Sequence, residues 1–362
     1  MPHPAIENNT AFFADALHLV DEEFEPWLTL VVKATFDVQP GGTLAVSAEQ
    51  QPVKTAGEFQ DPEAEISSYR YEPEVAPIKL ATDVAFVGHA HAPKARTNQM
   101  DIGFQVGALV KSLRVVGERM WFRSLGELNL TSPQPFERMP ICYERAFGGW
   151  DHSVPEEGKH SFEPRNPVGR GYHSRRGKAR EGVYAPNIED LRHPIQSQYD
   201  TPPPAGLGFI SPNWQPRVGF AGTYDDAWQE NRFPLLPTDF DRRFHNAASP
   251  GLLAKGFLRG DENVHTVGLS PEGRMSFRLP GVPPPSVRVS LVDSTDHRPQ
   301  ANLDTVIVDL DDRKLFMLWR ASMPLPDGPH DVRGIEYDCP ASLTLPRAEM
   351  VTGPALAANQ AR

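Results

Sequence analysis

Proline and glycine decide what this chain is able to build. Of its 362 residues 37 are proline and 28 glycine, and they crowd the middle in runs such as NPVGRGYH and TPPPAGLGF. Proline lacks an N–H and clashes with the preceding turn, which bars it from helix interiors and central strands. Long helices are therefore scarce. What lies between the breakers alternates with period two or forms short β-branched and aromatic blocks. They are LTLVVKATFDV (Leu28 to Val38), TDVAFVGHAHAP (Thr82 to Pro93) and QVGALVKSLRVVGERMWFR (Gln105 to Arg123) in the first part. LLAKGFLRGDENVHTVGL (Leu252 to Leu269), RMSFRLPG, SVRVSLVD and TVIVDLDDRKLFMLWR (Thr305 to Arg320) follow near the other end. Such blocks suit a pleated, half-buried surface and predict strands. In the last, two β runs flank Asp311, Asp312 and Arg313, the pattern of a hairpin.

The predicted fold is mostly β: two β-sheet, sandwich-like units joined by a long Pro/Gly-rich, loop-dominated centre with a few short helices. The units are residues 1–146 and 251–345, the centre is 147–250, and 346–362 is a flexible tail. Within the centre, Phe209, Trp214, Phe220, Tyr224, Trp228, Phe233, Phe240 and Phe244 form an aromatic-rich stretch expected to be buried. The stretch from Arg165 to Arg180 holds six basic residues and little to bury. It reads as a mobile loop open to trypsin, solvated or meeting an acidic partner. Two short helices fit where the breakers relent. TYDDAWQENR has Thr223 as N-cap and Pro234 as its end, and PTDFDRRFHNAA has Thr238 or Asp239 as cap.

Charge and cysteine content exclude several functions. Against 36 basic side chains stand 47 acidic ones, a formal charge of -11, which opposes binding to a nucleic acid. Two cysteines, Cys142 and Cys339, cannot build a disulfide framework, and the expected compartment is reducing. The N-terminus shows no export signal, and no run of about 20 apolar residues spans a bilayer. The expectation is a cytoplasmic protein without membrane insertion.

Candidate chemistry is thin. His89 and His91, two apart on a predicted strand, point to one face as metal ligands would. Without a third ligand placed nearby they read as ordinary histidines, and no metal or other cofactor is expected. Asp225, Asp226, Asp239 and Asp241 lie near Trp214 and Trp228, the vocabulary of a carbohydrate-active enzyme or sugar-binding protein. The same carboxylates suit helix starts, where the helix dipole favours them. There is no GxSxG, no activated cysteine, and NPVGRG lacks the lysine and strand of a phosphate loop. No catalytic residue is expected.

YERAFGGWD (Tyr143 to Asp151), NPVG, PNIE, GFISPNWQPRVGFAGTYDDAWQENRFPLLPTDFDRRFHNAA, LRGDE and DTVIVDLDDRKLFMLWR occur in that order. The succession, with WLTLVVKATFDV and the region from GHAHAP to MWFR, resembles a bacterial family of unknown-function domains encoded in type VI secretion gene clusters. The resemblance runs from about Trp27 to Arg320. It implies an adaptor or chaperone that holds an effector, or its part bearing a proline-alanine-alanine-arginine (PAAR) tip, for loading onto the spike. YERAFGGWD then reads as a structural corner. Gly148 and Gly149 supply special backbone angles, Phe147 and Trp150 are buried, and Glu144 or Arg145 ties down a loop. In the alternative, Arg145 and Trp150 face the partner. Trp214, Arg217 and Trp228 complete the candidate partner-binding or structural residues.

Overall fold

The computed structural model describes residues 5–174, 181–325 and 327–339. The described residues are mostly β, 40% strand against 7% helical, as the density of breakers requires. Its largest sheet runs in the order Phe13–Val20, Pro26–Val38, Lys314–Pro324, Asn302–Asp309, Asp83–Val87, with Leu44–Val46 added onto Pro26–Val38. Asn302–Asp309 and Lys314–Pro324 form the hairpin expected around Asp311 to Arg313. A second sheet runs Ile188–Asp190, Leu109–Val116, Gln99–Val106, Asn263–Val267, Arg274–Arg278. A third joins Ala5–Asn9, Val332–Asp338, Ser286–Leu291 and Asp296–His297.

The two β-rich flanks do not form separate sheets, which corrects the expected arrangement of joined units. Pro26–Val38 pairs with Lys314–Pro324 from Asp37↔Lys314 to Trp27↔Pro324, and Gln99–Val106 pairs with Asn263–Val267. The cause is visible in the strands themselves. Both Pro26–Val38 and Lys314–Pro324 are buried over most of their length. A sheet built from one flank would leave a long apolar edge open to pairing. Each flank covers the other's edge.

Pro26–Val38 is buried on both faces, so its sequence shows a nearly continuous apolar run. Leu28, Leu30, Val32, Ala34 and Phe36 enter the main core with Ile102, Phe104 and Val106 of the second sheet, and the Phe86 and Phe104 rings meet at 5.6 Å. On the opposite face Val31 packs with Ala85, Ile307, Leu318 and two residues of the centre, Phe209 and Ala247. Lys33 shares that face. Its ammonium is 2.7 Å from Glu74 with both side chains buried, and burial pushes its pKa down against the pull of Glu74. The loop-rich centre is thus the lid of the large sheet.

Parts of that centre differ from expectation. Residues 165–174 are tied to the rest of the chain: Arg165 holds the Glu163 carboxylate at 2.6 and 2.8 Å, and Arg170 reaches Glu118 at 3.0 Å. Carboxylates that hold these arginines remove the reason for a free loop. Arg175, Arg176, Lys178 and Arg180, and the tail 346–362, lie outside the described residues. The first helix spans Asp226–Asn231 with Asp225, not Thr223, as its N-cap. The second is a short 3-10 turn, Arg242–His245, capped by Asp241. Asp239 does not cap it because its carboxylate is engaged by Thr223. Of the central aromatics, Phe209 and Trp214 are buried, whereas Tyr224 and Phe233 are 53% and 67% exposed.

Candidate functional site

YERAFGGWD folds as a corner. Tyr143–Arg145 is a 3-10 turn, Phe147–Gly148 pairs in parallel with Arg170–Gly171, and Trp150–Asp151 pairs with Ser161–Phe162. NPVG closes against it. Buried Asn166 donates to the carbonyls of Tyr143 and Phe147 at 2.8 and 3.0 Å, and accepts the Gly149 N–H on its backbone oxygen at 2.8 Å. Glu144 accepts hydrogen bonds from Ser67 and Ser68 at 2.7 to 2.8 Å. Arg145 pairs with Glu118 and donates to Asn187 at 3.2 Å. Phe147 is buried with Trp121 and Ile195. Trp150, expected inside, is 39% exposed and stacks on Phe162 at 4.4 Å. On a strand, successive side chains alternate faces, and here Asp151 takes the inward place.

Trp214 and Arg217 root the next segment. Trp214 lies edge-on to Tyr143 at 5.4 Å, joining it to the corner. Buried Arg217 pairs with Glu72 and donates to the carbonyls of Phe244 and Ile210 at 2.7 and 2.8 Å. Burial pushes the Glu72 carboxyl up to about 7, opposed by Arg217 and Lys79. Nearby, Lys79 reaches Asp83 at 2.8 Å, and Asp83 accepts the N–H groups of Ala247 and Ala248 at 3.1 and 3.0 Å. A pocket of about 210 Å³ opens beside this network, but its charged lining residues Lys79, Asp304 and Arg320 already have partners.

From this base a loop projects. Thr223 donates its N–H and hydroxyl to Asp239 at 2.9 and 2.7 Å, and the Asp241 N–H reaches the Phe220 carbonyl at 2.9 Å. Gly222 makes the neck possible: at φ +86 a Cβ there would sit 2.7 Å from Pro237 Cβ. Within the loop, Asp225 accepts the Trp228 N–H at 2.9 Å and the Trp228 indole donates to the Leu235 carbonyl at 2.9 Å. Tyr224 and Phe233 meet Trp228 edge-on at 4.7 and 5.7 Å. The result is an ordered cluster in which Tyr224 and Phe233 are exposed and Trp228 is half-buried.

The turn DEEFE, residues 21–25, stands beside it. Asp21 accepts the N–H groups of Glu23 and Glu25, both at 2.9 Å. Phe24, held at φ 60, is 46% exposed. Arg232 pairs with Glu23, and Arg242 holds Glu22 at 2.6 and 2.8 Å while lying 5.8 Å from the Trp27 ring. The signal for this turn was a phenylalanine inside an acidic run.

A bacterial family model described as "Uncharacterized protein conserved in bacteria" (DUF2169) matches residues 23–320. The chain belongs to the DUF2169 family. Searches of curated proteins and of solved structures found no match. The matched region of this DUF2169 protein takes in the corner, the aromatic loop and most of the DEEFE turn.

In the DUF2169 chain the four aspartates proposed for sugar chemistry are exposed or half-exposed, and three of them, Asp225, Asp239 and Asp241, are engaged by backbone, threonine or arginine donors. Asp225 caps a helix, Asp239 binds Thr223, Asp241 binds Arg243, and Asp226 lies in the first helical turn. Hydrogen bonds hold the Asp239 and Asp241 carboxyls below their ordinary range. Trp214 is buried away from Trp228's cluster. His89 meets Asp311 at 2.7 Å. Among the described residues no group of three or more His, Cys, Asp or Glu side chains is placed to hold a metal. Burial pushes the Cys142 thiol up to about 12. No helix of the described chain is long and apolar enough to cross a membrane.

His245, behind the loop, titrates in a way that stability reports. Burial, opposed by Glu22 and reinforced by Arg217, Lys79 and Arg320, pushes its imidazole from 6.5 to about 4. Between these values the unfolded chain binds the proton more tightly, so this group's contribution is lost as pH falls from about 6.5 to about 4, by roughly 3 kcal/mol. Glu72 has the opposite sign, its raised pKa favouring the fold as pH falls from about 7 towards 4.5. Removing the imidazole with His245→Asn leaves Glu72 unopposed. Urea unfolding at pH 7 and pH 4.5 is expected to show the variant gaining on the parent by about 2–3 kcal/mol at the lower pH; an unchanged difference would refute the assignment.

Proposed function

We propose that this DUF2169 protein is a non-catalytic accessory protein of type VI secretion. It binds and stabilises an effector, or its PAAR-bearing N-terminal part, in the cytoplasm and helps to load it onto the spike. The observation that carries this reading is the pair of exposed rings Tyr224 and Phe233, packed on the half-buried Trp228 and fixed by hydrogen bonds to a loop whose base is bolted to the core. Exposed rings on an ordered support are typical of protein interaction sites, because rigid aromatic anchors lose little entropy on binding. The sequence resemblance supplies the type VI setting. A holder of this kind stabilises its client by mass action and needs no chemistry of its own.

The test is co-expression with the product of the adjacent gene. Soluble effector is expected with the parent protein, and little without it. The pair Tyr224→Ser and Phe233→Ser, both at exposed positions, is expected to leave the holder folded yet weaken capture by about 30-fold or more. Equal effector solubility with and without the protein would contradict the proposal.

A further inference from the structure

We propose that the segment received by the aromatic surface is a basic, amphipathic stretch of the partner protein, a refinement that rests on the adaptor reading above. The motive is the charge around the exposed rings. Phe24 and Phe233 each follow one member of the Glu23–Arg232 pair in the chain, which brings the DEEFE turn and the aromatic loop together. This joint surface carries Asp21, Glu22, Glu23 and Glu25 from the turn, and Asp225, Asp226 and Glu230 from the helix. Its cations Arg232 and Arg242 are already closed on Glu23 and Glu22. Arg243, also exposed, is closed on Asp241. Glu25, Asp226 and Glu230 are exposed and meet no cation among the described residues.

Exposed rings with unanswered, exposed carboxylates close to them in the chain select their occupant. A partner bearing acids there is repelled, and like charges brought together cost several kcal/mol. The net charge of -11 equally disfavours a second copy of this chain, an anionic membrane or a nucleic acid. A segment with Leu-like anchors between Lys or Arg residues satisfies both features. Its apolar face covers Phe24, Tyr224 and Phe233, and its cations reach Glu25, Asp226 and Glu230. Apolar anchors at helical spacing are one of the recurring ways in which one protein fills an apolar face of another.

The probe is a fluorescein-labelled Lys/Leu peptide with helical amphipathic spacing, titrated with the full-length protein by anisotropy. Controls are a Glu/Leu peptide of equal length and an all-Lys peptide. Saturable binding is expected for Lys/Leu alone, weakening as salt is raised. The triple variant Glu25→Lys, Asp226→Lys, Glu230→Lys is expected to lose at least about 10-fold in affinity, and Phe24→Ser with Phe233→Ser about 30-fold. Thermal melts establish that these surface variants stay folded. Equal binding of Lys/Leu and Glu/Leu, equal binding of all-Lys, or an unaffected triple variant would overturn the proposal. Failure of the peptides while effector is still captured through Tyr224 and Phe233 sinks only the basic-partner inference. Effector solubility indifferent to the protein sinks the adaptor reading itself.

Discussion

Arg217→Met is expected to destabilise the fold by about 3–5 kcal/mol, the usual cost of leaving one member of a buried ion pair behind. Arg217 and Glu72 have side chains only 9% and 10% exposed. The methionine keeps much of the volume over the Phe244 ring, which the guanidinium approaches at 5.3 Å, so lost packing is not the main effect. What goes is the cation facing Glu72 and the donor to the Phe244 and Ile210 carbonyls. Glu72 then takes up a proton even more readily, and urea unfolding should show the deficit largest at high pH, where the carboxylate must stay charged. The double variant Arg217→Met, Glu72→Leu removes both charges and is expected to recover most of the loss, since an apolar pair of similar size often replaces a buried ion pair without penalty. A single-variant cost below about 1 kcal/mol, a value ordinary for exposed pairs, would contradict the role given to Arg217.

Gly149→Ala is the second large effect. Gly149 sits at φ +90, and an added Cβ would lie 2.3 Å from the Gly169 carbonyl oxygen and 3.1 Å from its carbon. Both are backbone atoms of the NPVG turn, so no side chain can swing aside. Relief requires moving the turn, with loss of the Gly149 N–H bond to Asn166 or of the short pairing with Arg170–Gly171. A left-handed angle in a residue with a side chain costs roughly 1–3 kcal/mol by itself. Gly251 is the internal control: its φ is +89, and a Cβ added there would meet nothing within 4 Å. Gly251→Ala is expected to cost only the angle, about 1 kcal/mol, while Gly149→Ala exceeds it by at least about 2 kcal/mol or yields insoluble protein. Equal melting temperatures for the two variants would show that the corner is softer than its contacts imply.

The β character was legible because periodicity and breakers act locally: SVRVSLVD contains Ser286–Leu291, whose alternating burial follows its alternating residues. Pairing was not legible. Nothing in LTLVVKATFDV says that its neighbour lies nearly three hundred positions away, since similar β runs present similar edges, and only burial on both faces demands a partner on each side. The lysine in that run shows the same limit. Lys33 reads as a surface residue until Glu74, far along the chain, is seen to meet it.

At the candidate site, the turn chemistry of Gly148, Gly149 and the short helices could be read to within a few residues. The caps shifted because several aspartates compete for the same backbone donors, and Asp239 is drawn to Thr223 by the loop's neck. The fate of the aromatics was hidden for another reason. Phe209 and Phe233 are equally apolar, and only the path of the chain puts one under the large sheet and the other in solvent. DEEFE gained its meaning from Arg232 and Arg242, which come more than two hundred residues later.

The adaptor account is tested most directly by hydrogen–deuterium exchange on the protein alone and in complex with the co-expressed product of the adjacent gene. The complex is expected to slow exchange in residues 20–25 and 222–236, with the corner at Tyr143 to Asp151 unchanged because the proposal places no partner contact there. A complex that protects some other surface and leaves the aromatic loop exchanging as before, or the absence of any complex, would contradict it.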